Sequence, residues 1–135
     1  MGEPIAYVST WRIKEGKSTD YQRFYAALVE AVEQNEPEVT AFLAYGEANG
    51  SEITNIHVYA DQVVLDEHMR FIGDQMGLMP TDLSAAMESL EPVRVQVFGT
   101  PMGAAAEMDR GMADSGVPFE GKPRFLGGFA RRLSV

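Results

Sequence analysis

Two short stretches of this chain alternate so that each has two different faces, and neither face resembles one that meets water. Successive residues of a strand point to opposite sides, so alternation separates them into two sets. The set that we call the mixed face comprises Tyr7, Ser9, Trp11, Asn55, His57 and Tyr59. The set that we call the aliphatic face comprises Ala6, Val8, Thr10, Thr54, Ile56 and Val58. A solvated face would be mostly polar and charged, whereas aromatic rings with hydrogen-bonding tips are typical of ligand sites and wet interfaces. The mixed face is therefore where we expect function.

Length and composition restrict the classes of protein that need to be considered. The chain has 135 residues, 45% hydrophobic and 23% charged, which is typical of a single globular domain. No apolar run approaches the roughly 20 residues of a membrane span, and the N-terminus lacks a secretion signal, so we expect a cytoplasmic protein with no membrane partner. A net charge of -9 repels phosphate backbones, which argues against nucleic acid as a partner. The absence of cysteine excludes disulfides, thiolate nucleophiles and cysteine-ligated metals.

The order of elements is strand, helix, strand, strand, helix, strand. Thr19 and Gln22 predict a capping box at the start of the first helix, which must end before Pro37. Its buried stripe at helical spacing is Tyr21, Phe24, Tyr25, Leu28, Val29 and Val32. Asn49-Gly50 predicts a hairpin between the strands at 40–47 and 51–60. After Tyr59 the period changes to that of a helix.

The second helix carries a histidine among its apolar residues. Asp61 is placed to cap this helix. The side chains that share one side of it are Val64, Leu65, His68, Met69 and Ile72. A further, broken helix is predicted around residues 82–87. The fourth strand, at 91–100, alternates Val93, Val95 and Val97 with Arg94, Gln96 and Phe98.

This order predicts an α+β fold, the ferredoxin-like split βαβ, with a four-stranded antiparallel sheet and both helices on one face, over residues 1–100. Two helices cover only one face, so we expect a homodimer, a dimeric α/β barrel in which the bare faces of two sheets meet. Residues 101–135 predict a C-terminal arm with a short helix at 103–112. Residues 1–100 hold 16 acids and 6 bases, whereas the arm holds 4 acids and 5 bases. The arm is therefore either docked on its own or the partner's body or a disordered terminus, and its many apolar residues favour docking.

The stretch from Tyr7 to Gly16, the first helix, the hairpin, and Glu67-His68-Met69 on the second helix resemble the antibiotic biosynthesis monooxygenase-like family of dimeric α/β barrels, over residues 4–100. That family includes small oxygenases that act on phenolic or quinol-like polyketides without metal or flavin, and haem-degrading enzymes. The resemblance implies a cofactor-independent monooxygenase whose small aromatic or quinol-type substrate lies between sheet and helices, with the mixed face toward the helices. Alternation alone leaves that orientation open. The haem-degrading branch has Asn and Trp where this chain has Ser9 and Tyr59, so haem degradation is not expected.

Chemistry of this kind needs a base, hydrogen-bond donors and a dry cavity, because a deprotonated hydroquinone reduces oxygen directly. Imidazole titrates near neutrality, so His68 is our first candidate for the base and His57 the second. The resemblance places Tyr7, Ser9, Asn55 and Tyr59 at the substrate. The Trp11 ring is a candidate to stack on the substrate, and Arg94 joins them only if the register of the fourth strand brings it to the same cavity. These candidate substrate-binding residues are Tyr7, Ser9, Trp11, Asn55, Tyr59 and Arg94.

Other interpretations fit the same residues. Each histidine is also explained as a hydrogen-bonded core residue, and Tyr7 and Trp11 as the rim of a dimer interface. His57 and His68 lack matching carboxylate spacing, so no metal site is predicted. A non-oxidative acid-base enzyme, such as an isomerase or cyclase, and a non-catalytic small-molecule-binding dimer remain open as functions.

Overall fold

A computed structural model describes residues 2–78, 86 and 88–130 of the chain. Its strands are β1 (Ile5–Ile13), β2 (Val39–Gly46), β3 (Glu52–Tyr59), β4 (Leu90–Phe98) and β5 (Phe119–Lys122). Its helices are α1 (Ser18–Asn35), α2 (Gln62–Leu78) and α3 (Gly103–Asp114). The further helix predicted around residues 82–87 lies, apart from residue 86, outside the described residues.

The sheet has the strand order β2-β3-β1-β4-β5. The first four strands pair antiparallel, which confirms the predicted ferredoxin-like α+β fold. A fifth strand was not predicted. β5 pairs parallel with β4, with Phe119 opposite Val95, so the sheet is mixed and five-stranded. β5 has only four residues, one of them a glycine, and so short a segment does not show a recognisable strand pattern.

Local sequence signals place most of the boundaries correctly. The Asp61 carboxylate accepts a hydrogen bond of 3.0 Å from the Val64 N–H, which confirms the cap of α2. The hairpin turn has Gly50 at φ 73°, a left-handed conformation that glycine adopts without strain. The predicted capping box at Thr19 is wrong, because α1 already begins at Ser18 and its N-cap, Lys17, makes no side-chain hydrogen bond.

All three helices pack against the same side of the sheet. One cluster of buried residues comprises Ile5, Tyr59, Val64, Leu65 and Ala105, and so joins β1 and β3 to α2 and α3. A second cluster comprises Ile13, Tyr21, Ile53 and Ala86, and includes α1. The mixed face of β1 and β3 therefore points toward the helices, as the resemblance implied. The C-terminal segment contributes α3 and β5 to this same body.

The aliphatic face lies on the side of the sheet away from the described helices. Leu43 of β2 pairs with Ile56, which puts it on this face, and its side chain is 45% exposed. Tyr45 pairs with Thr54 on the same face and is 63% exposed. Apolar and aromatic side chains are thus bare on this side of the sheet. None of the described helices is long and apolar enough to cross a membrane.

Candidate functional site

His57 lies within a stack of aromatic rings under α1. Its ring lies 3.8 Å from that of Phe42, centroid to centroid, and the two planes are 8° apart. A hydrogen bond of 3.0 Å joins His57 Nε2 to the Tyr25 hydroxyl. Burial, with a smaller contribution from the nearby His68, lowers the pKa of His57 to about 3, because both disfavour the charged imidazolium. His57 is therefore neutral near pH 7, which suits it to hydrogen bonding with a ligand better than to proton abstraction.

His68 is held by a carboxylate that the sequence did not reveal. Its Nδ1 lies 2.9 Å from Glu36 Oε2 and 3.1 Å from Oε1, and both side chains are 8% exposed. A carboxylate only accepts hydrogen bonds, so Nδ1 carries a proton and Nε2 remains to bind another group. A histidine oriented in this way by a carboxylate is the general base of many enzymes. No spacing rule connects Glu36, at the end of α1, with a residue 32 positions further along.

Tyr59 lies between His68 and Tyr7. Its ring centroid is 5.1 Å from that of His68 and 6.4 Å from that of Tyr7. The Tyr7 hydroxyl donates a hydrogen bond of 2.8 Å to Asp109 Oδ2 of α3. Burial raises the pKa values of Tyr7 and Tyr59 above their usual range, and Asp109 and Glu36 respectively add to the effect. Both phenols therefore remain protonated and act as hydrogen-bonding groups.

Asp109 is a second functional candidate that sequence reasoning missed. It is 9% exposed, and burial raises its pKa, although the hydrogen bond from Tyr7 acts in the opposite direction. The signal in the sequence was its position in α3, four residues after Ala105, which is 1% exposed. An acid at that spacing falls on the buried side of the helix.

Asn55 lies on the same side of the sheet and carries a buried hydrogen-bond acceptor. Its Oδ1 atom is buried and has no hydrogen-bond partner among the described residues. Opposite it in the β1–β3 register is Ser9, whose hydroxyl accepts a hydrogen bond of 2.9 Å from the Trp11 indole. A buried acceptor without a partner destabilises the fold, and a ligand hydroxyl or amide donating to Oδ1 removes that cost.

Five of the six substrate-binding candidates, together with both histidines, thus share the helix-facing side of the sheet. Arg94 does not. It pairs with Thr10 in the β1–β4 register and is exposed on the aliphatic face. On β4 the buried Val95 and Val97 face the helices instead, because they pair with Ser9 and Tyr7 of the mixed face. The condition that we set for Arg94 is therefore not met.

Two other arrangements do not add to this site. A cavity of about 530 Å³ opens at the end of β1 beside the hairpin turn, where Arg12, Gly16 and Asn49 are among its lining residues, and neither histidine reaches it. In the described part of the chain, no three histidine, aspartate or glutamate side chains come together as a group able to hold a metal ion.

Comparisons with known proteins find solved structures of similar fold and no matching family model. No protein-family model matches the chain, and no curated protein matches it. Among solved structures, MupZ from Pseudomonas fluorescens is similar over 95% of this chain and 91% of that chain, with 17% identity and a TM-score of 0.64. SnoaB, a cofactor-independent oxygenase from Streptomyces nogalater, is similar over 76% of this chain and 98% of that chain, with 14% identity and a TM-score of 0.55.

A third similar structure is a Caulobacter crescentus protein described provisionally as an antibiotic biosynthesis monooxygenase. The similarity covers 71% of this chain and 88% of the Caulobacter chain, with 17% identity and a TM-score of 0.56. Since 95% of the chain is more than its first 100 residues, the likeness to MupZ extends into the C-terminal segment. Identities this low establish the fold alone, and the resemblance indicated by the sequence is confirmed at that level. The chain has the fold of the antibiotic biosynthesis monooxygenase-like structures.

Proposed function

We propose that this protein is a cofactor-independent monooxygenase that acts on a small aromatic or quinol-type substrate between the sheet and the helices. The observation that carries the proposal is the buried pair of His68 and Glu36, whose Nδ1–Oε2 distance is 2.9 Å. It provides an oriented base in an enclosed layer of aromatic rings. The fold likeness to SnoaB, a cofactor-independent oxygenase, supports the same chemistry.

Each residue has a definite task in this proposal. His68 Nε2 accepts the proton of a substrate hydroxyl, and Glu36 stabilises the imidazolium that forms. The resulting electron-rich oxyanion reduces O2 at a ring carbon that carries hydrogen, and a C–O bond forms to give a hydroperoxide. Loss of water from this hydroperoxide leaves one oxygen atom on the ring and the other in water. Asn55 Oδ1, buried without a partner among the described residues, is available to accept a hydrogen bond from a further N–H or O–H group of the substrate. His57, neutral and bonded to Tyr25 at 3.0 Å, orients a substrate oxygen, and the rings of Tyr59 and Trp11 pack against the substrate.

We propose further that the protein is a homodimer in which two aliphatic faces meet. The support is the bare apolar surface that the described helices leave on that side, where Leu43 is 45% and Tyr45 63% exposed. Two sheets packed in this manner bury such side chains in a symmetric interface. A second copy would also close the barrel that encloses the substrate layer.

A second candidate function is a non-oxidative acid-base reaction, such as an isomerisation or cyclisation. The observation that favours it is Asp109, a buried carboxyl with a raised pKa that Tyr7 hydrogen bonds. A site with an oriented base at His68 and a carboxyl near Tyr7 has both partners of acid-base catalysis. Oxygen consumption separates this candidate from the first.

The test is oxygen uptake with a panel of hydroquinones and naphthols, corrected for the spontaneous oxidation of each compound. We expect turnover with native protein, and a loss of about 100-fold or more in kcat with His68→Asn, because general-base catalysis contributes about 10²–10⁴-fold. Glu36→Gln should lose less, since it removes the orienting charge and leaves the imidazole. Glu67→Gln, an exposed acid on the same helix, is the matched control and should keep native kcat.

The outcomes separate the candidates. Turnover that persists in His68→Asn refutes the role of the base. Conversion of a substrate under nitrogen at the aerobic rate refutes the oxygenase and supports the acid-base enzyme. Binding without turnover under either atmosphere supports a ligand-binding protein.

A further inference from the structure

The buried side of α3 carries an acid where an apolar residue would be expected. Ala105 is 1% exposed and Asp109, one turn later, is 9% exposed, whereas the neighbouring Met108 is 49% exposed. A helix that only packed on the body would show the opposite arrangement, because burying a carboxyl costs free energy that burying a thioether does not. The position of Asp109 is therefore explained by what its carboxyl contacts.

That contact is the hydroxyl of Tyr7, which donates to Oδ2 at 2.8 Å. Among the described residues no cation lies within ion-pair distance of Asp109, and the ionisable groups facing it are Tyr7 on β1 and, behind that residue, Tyr59 on β3. A phenol whose proton is directed at a carboxylate presents only lone pairs to any other partner. The Tyr7 oxygen is thus fixed as an acceptor and selects a group that donates.

A second acceptor lies on the other side of Tyr59. His68 Nε2 is left available by the bond between Nδ1 and Glu36, and the Tyr59 ring lies 5.1 Å from His68 and 6.4 Å from Tyr7. Each acceptor is backed by a buried carboxyl: Glu36, directly after α1, for His68, and Asp109 of α3 for Tyr7. The region between the sheet and the helices therefore has one such acceptor on each side of Tyr59, and both favour a ligand hydroxyl as the donor.

We propose that Tyr7 and Asp109 form a second hydroxyl-binding site, so that the protein binds ring compounds with two hydroxyl groups, one at His68 and the other at Tyr7. The inference rests on the proposed function and deepens it by restricting the ligand to the hydroquinone class. Tyr7 contacts the ligand, and Asp109 is a positioning residue that acts through Tyr7. A compound with a single hydroxyl leaves one of the two acceptors without a donor.

The experiment compares 1,4-dihydroxynaphthalene with its monomethyl ether, 4-methoxy-1-naphthol, under nitrogen. Trp11 is the only tryptophan of the chain and lies on the mixed face, so quenching of its fluorescence reports binding without turnover. For native protein we expect the dihydroxy compound to bind about tenfold more tightly, the effect of one hydrogen bond to a charge-supported acceptor. Tyr7→Phe should reduce this preference to within about twofold, and Asp109→Asn should reduce it to about threefold.

The deciding quantity is the preference, which is the ratio of the two affinities. A purely structural role of α3 would weaken the binding of both compounds equally and leave this ratio unchanged. Tyr45→Phe, on the aliphatic face, is the matched control and should keep the native ratio. Equal affinities in native protein, including no measurable binding of either compound, overturn the proposal, and so does a native ratio in Tyr7→Phe. If Asp109→Asn fails to fold, the native protein and Tyr7→Phe still decide.

The result is also distinguishable from failure of the proposed function. A clear preference without oxygen uptake leaves the second hydroxyl site standing and refutes the oxygenase. Oxygen uptake without any preference refutes the second hydroxyl site and leaves the oxygenase standing.

Discussion

The burial of His57 makes the stability of this protein depend on pH in a direction that can be worked out from the structure. The pKa of His57 falls from 6.5 to about 3 in the folded chain, whereas the unfolded chain exposes the imidazole and restores the ordinary value. The unfolded state therefore binds the proton more tightly. Stability from this group is present above pH 6.5 and is lost as the pH falls toward about 3.

The magnitude follows from the linkage between proton binding and unfolding. At about 1.36 kcal/mol per pKa unit, the full shift corresponds to up to about 5 kcal/mol. Between about pH 7 and about pH 4.5, the His57 contribution to the free energy of unfolding should fall by about 2.5 kcal/mol. A loss of this size is a large part of the stability of a small domain, which is about 5–15 kcal/mol.

The assay is urea unfolding at the two pH values and one fixed protein concentration, in a pair of variants that differ only at residue 57. Tyr25→Phe removes the hydroxyl that bonds to His57 and keeps the imidazole, and Tyr25→Phe with His57→Phe removes the titrating group while keeping a ring on Phe42. Groups that do not interact with residue 57 titrate equally in both variants and cancel, so that the difference reports His57 together with its interaction with the nearby His68. The first variant should lose about 2.5 kcal/mol more than the second on acidification. Equal losses would show that His57 is not desolvated, and the aromatic stack described above would be wrong.

Three further outcomes test other parts of the structure. Burial raises the pKa of Asp109, so its contribution to stability is present at low pH and is lost as the pH rises. The free energy of unfolding of Asp109→Asn relative to native protein should therefore increase from pH 4 to pH 7. A constant difference would contradict the burial of Asp109. Leu43→Glu places a charge on the bare aliphatic face and should convert a dimer into monomers in analytical ultracentrifugation, whereas an unchanged native mass would contradict the proposed interface. Gly99 has φ 100° and an added Cβ would lie 3.0 Å from the Pro4 carbonyl oxygen, so Gly99→Ala should cost about 1–3 kcal/mol in urea unfolding. Gly111→Ala, in a helix with open space around it, is the control and should stabilise the protein by up to about 1 kcal/mol.

The sequence predicts the parts of the fold that depend on near neighbours. The alternation of β1 and β3, the hairpin at Gly50 and the cap at Asp61 all depend on residues within a few positions of one another, and all three are found. The orientation of the sheet required more than alternation, because both faces of each strand are compatible with burial. The likeness to a known family supplied that orientation.

The carboxyls that complete the site could not be predicted in this way. Glu36 meets His68 across 32 positions of sequence, and Asp109 meets Tyr7 across 102. Contacts at such separation are set by how the helices lie on the sheet, and a single sequence carries no local signal for that geometry. The place of Arg94 has a similar cause, since it follows from the β1–β4 register, which pairs strands that lie far apart in the sequence.

The site therefore has two parts of different origin. The ferredoxin-like fold supplies His57, His68, Tyr59 and Glu36. The structural similarity to SnoaB covers 76% of this chain. Asp109 comes from α3, outside that fold, in a segment into which the likeness to MupZ extends. If the fold alone provides the chemistry, Asp109→Asn should alter which ligands bind while turnover of a bound substrate persists. If Asp109 takes part in proton transfer, the same variant should lose kcat with little change in KM. The division of the effect between kcat and KM in this one variant thus decides whether α3 serves recognition or reaction.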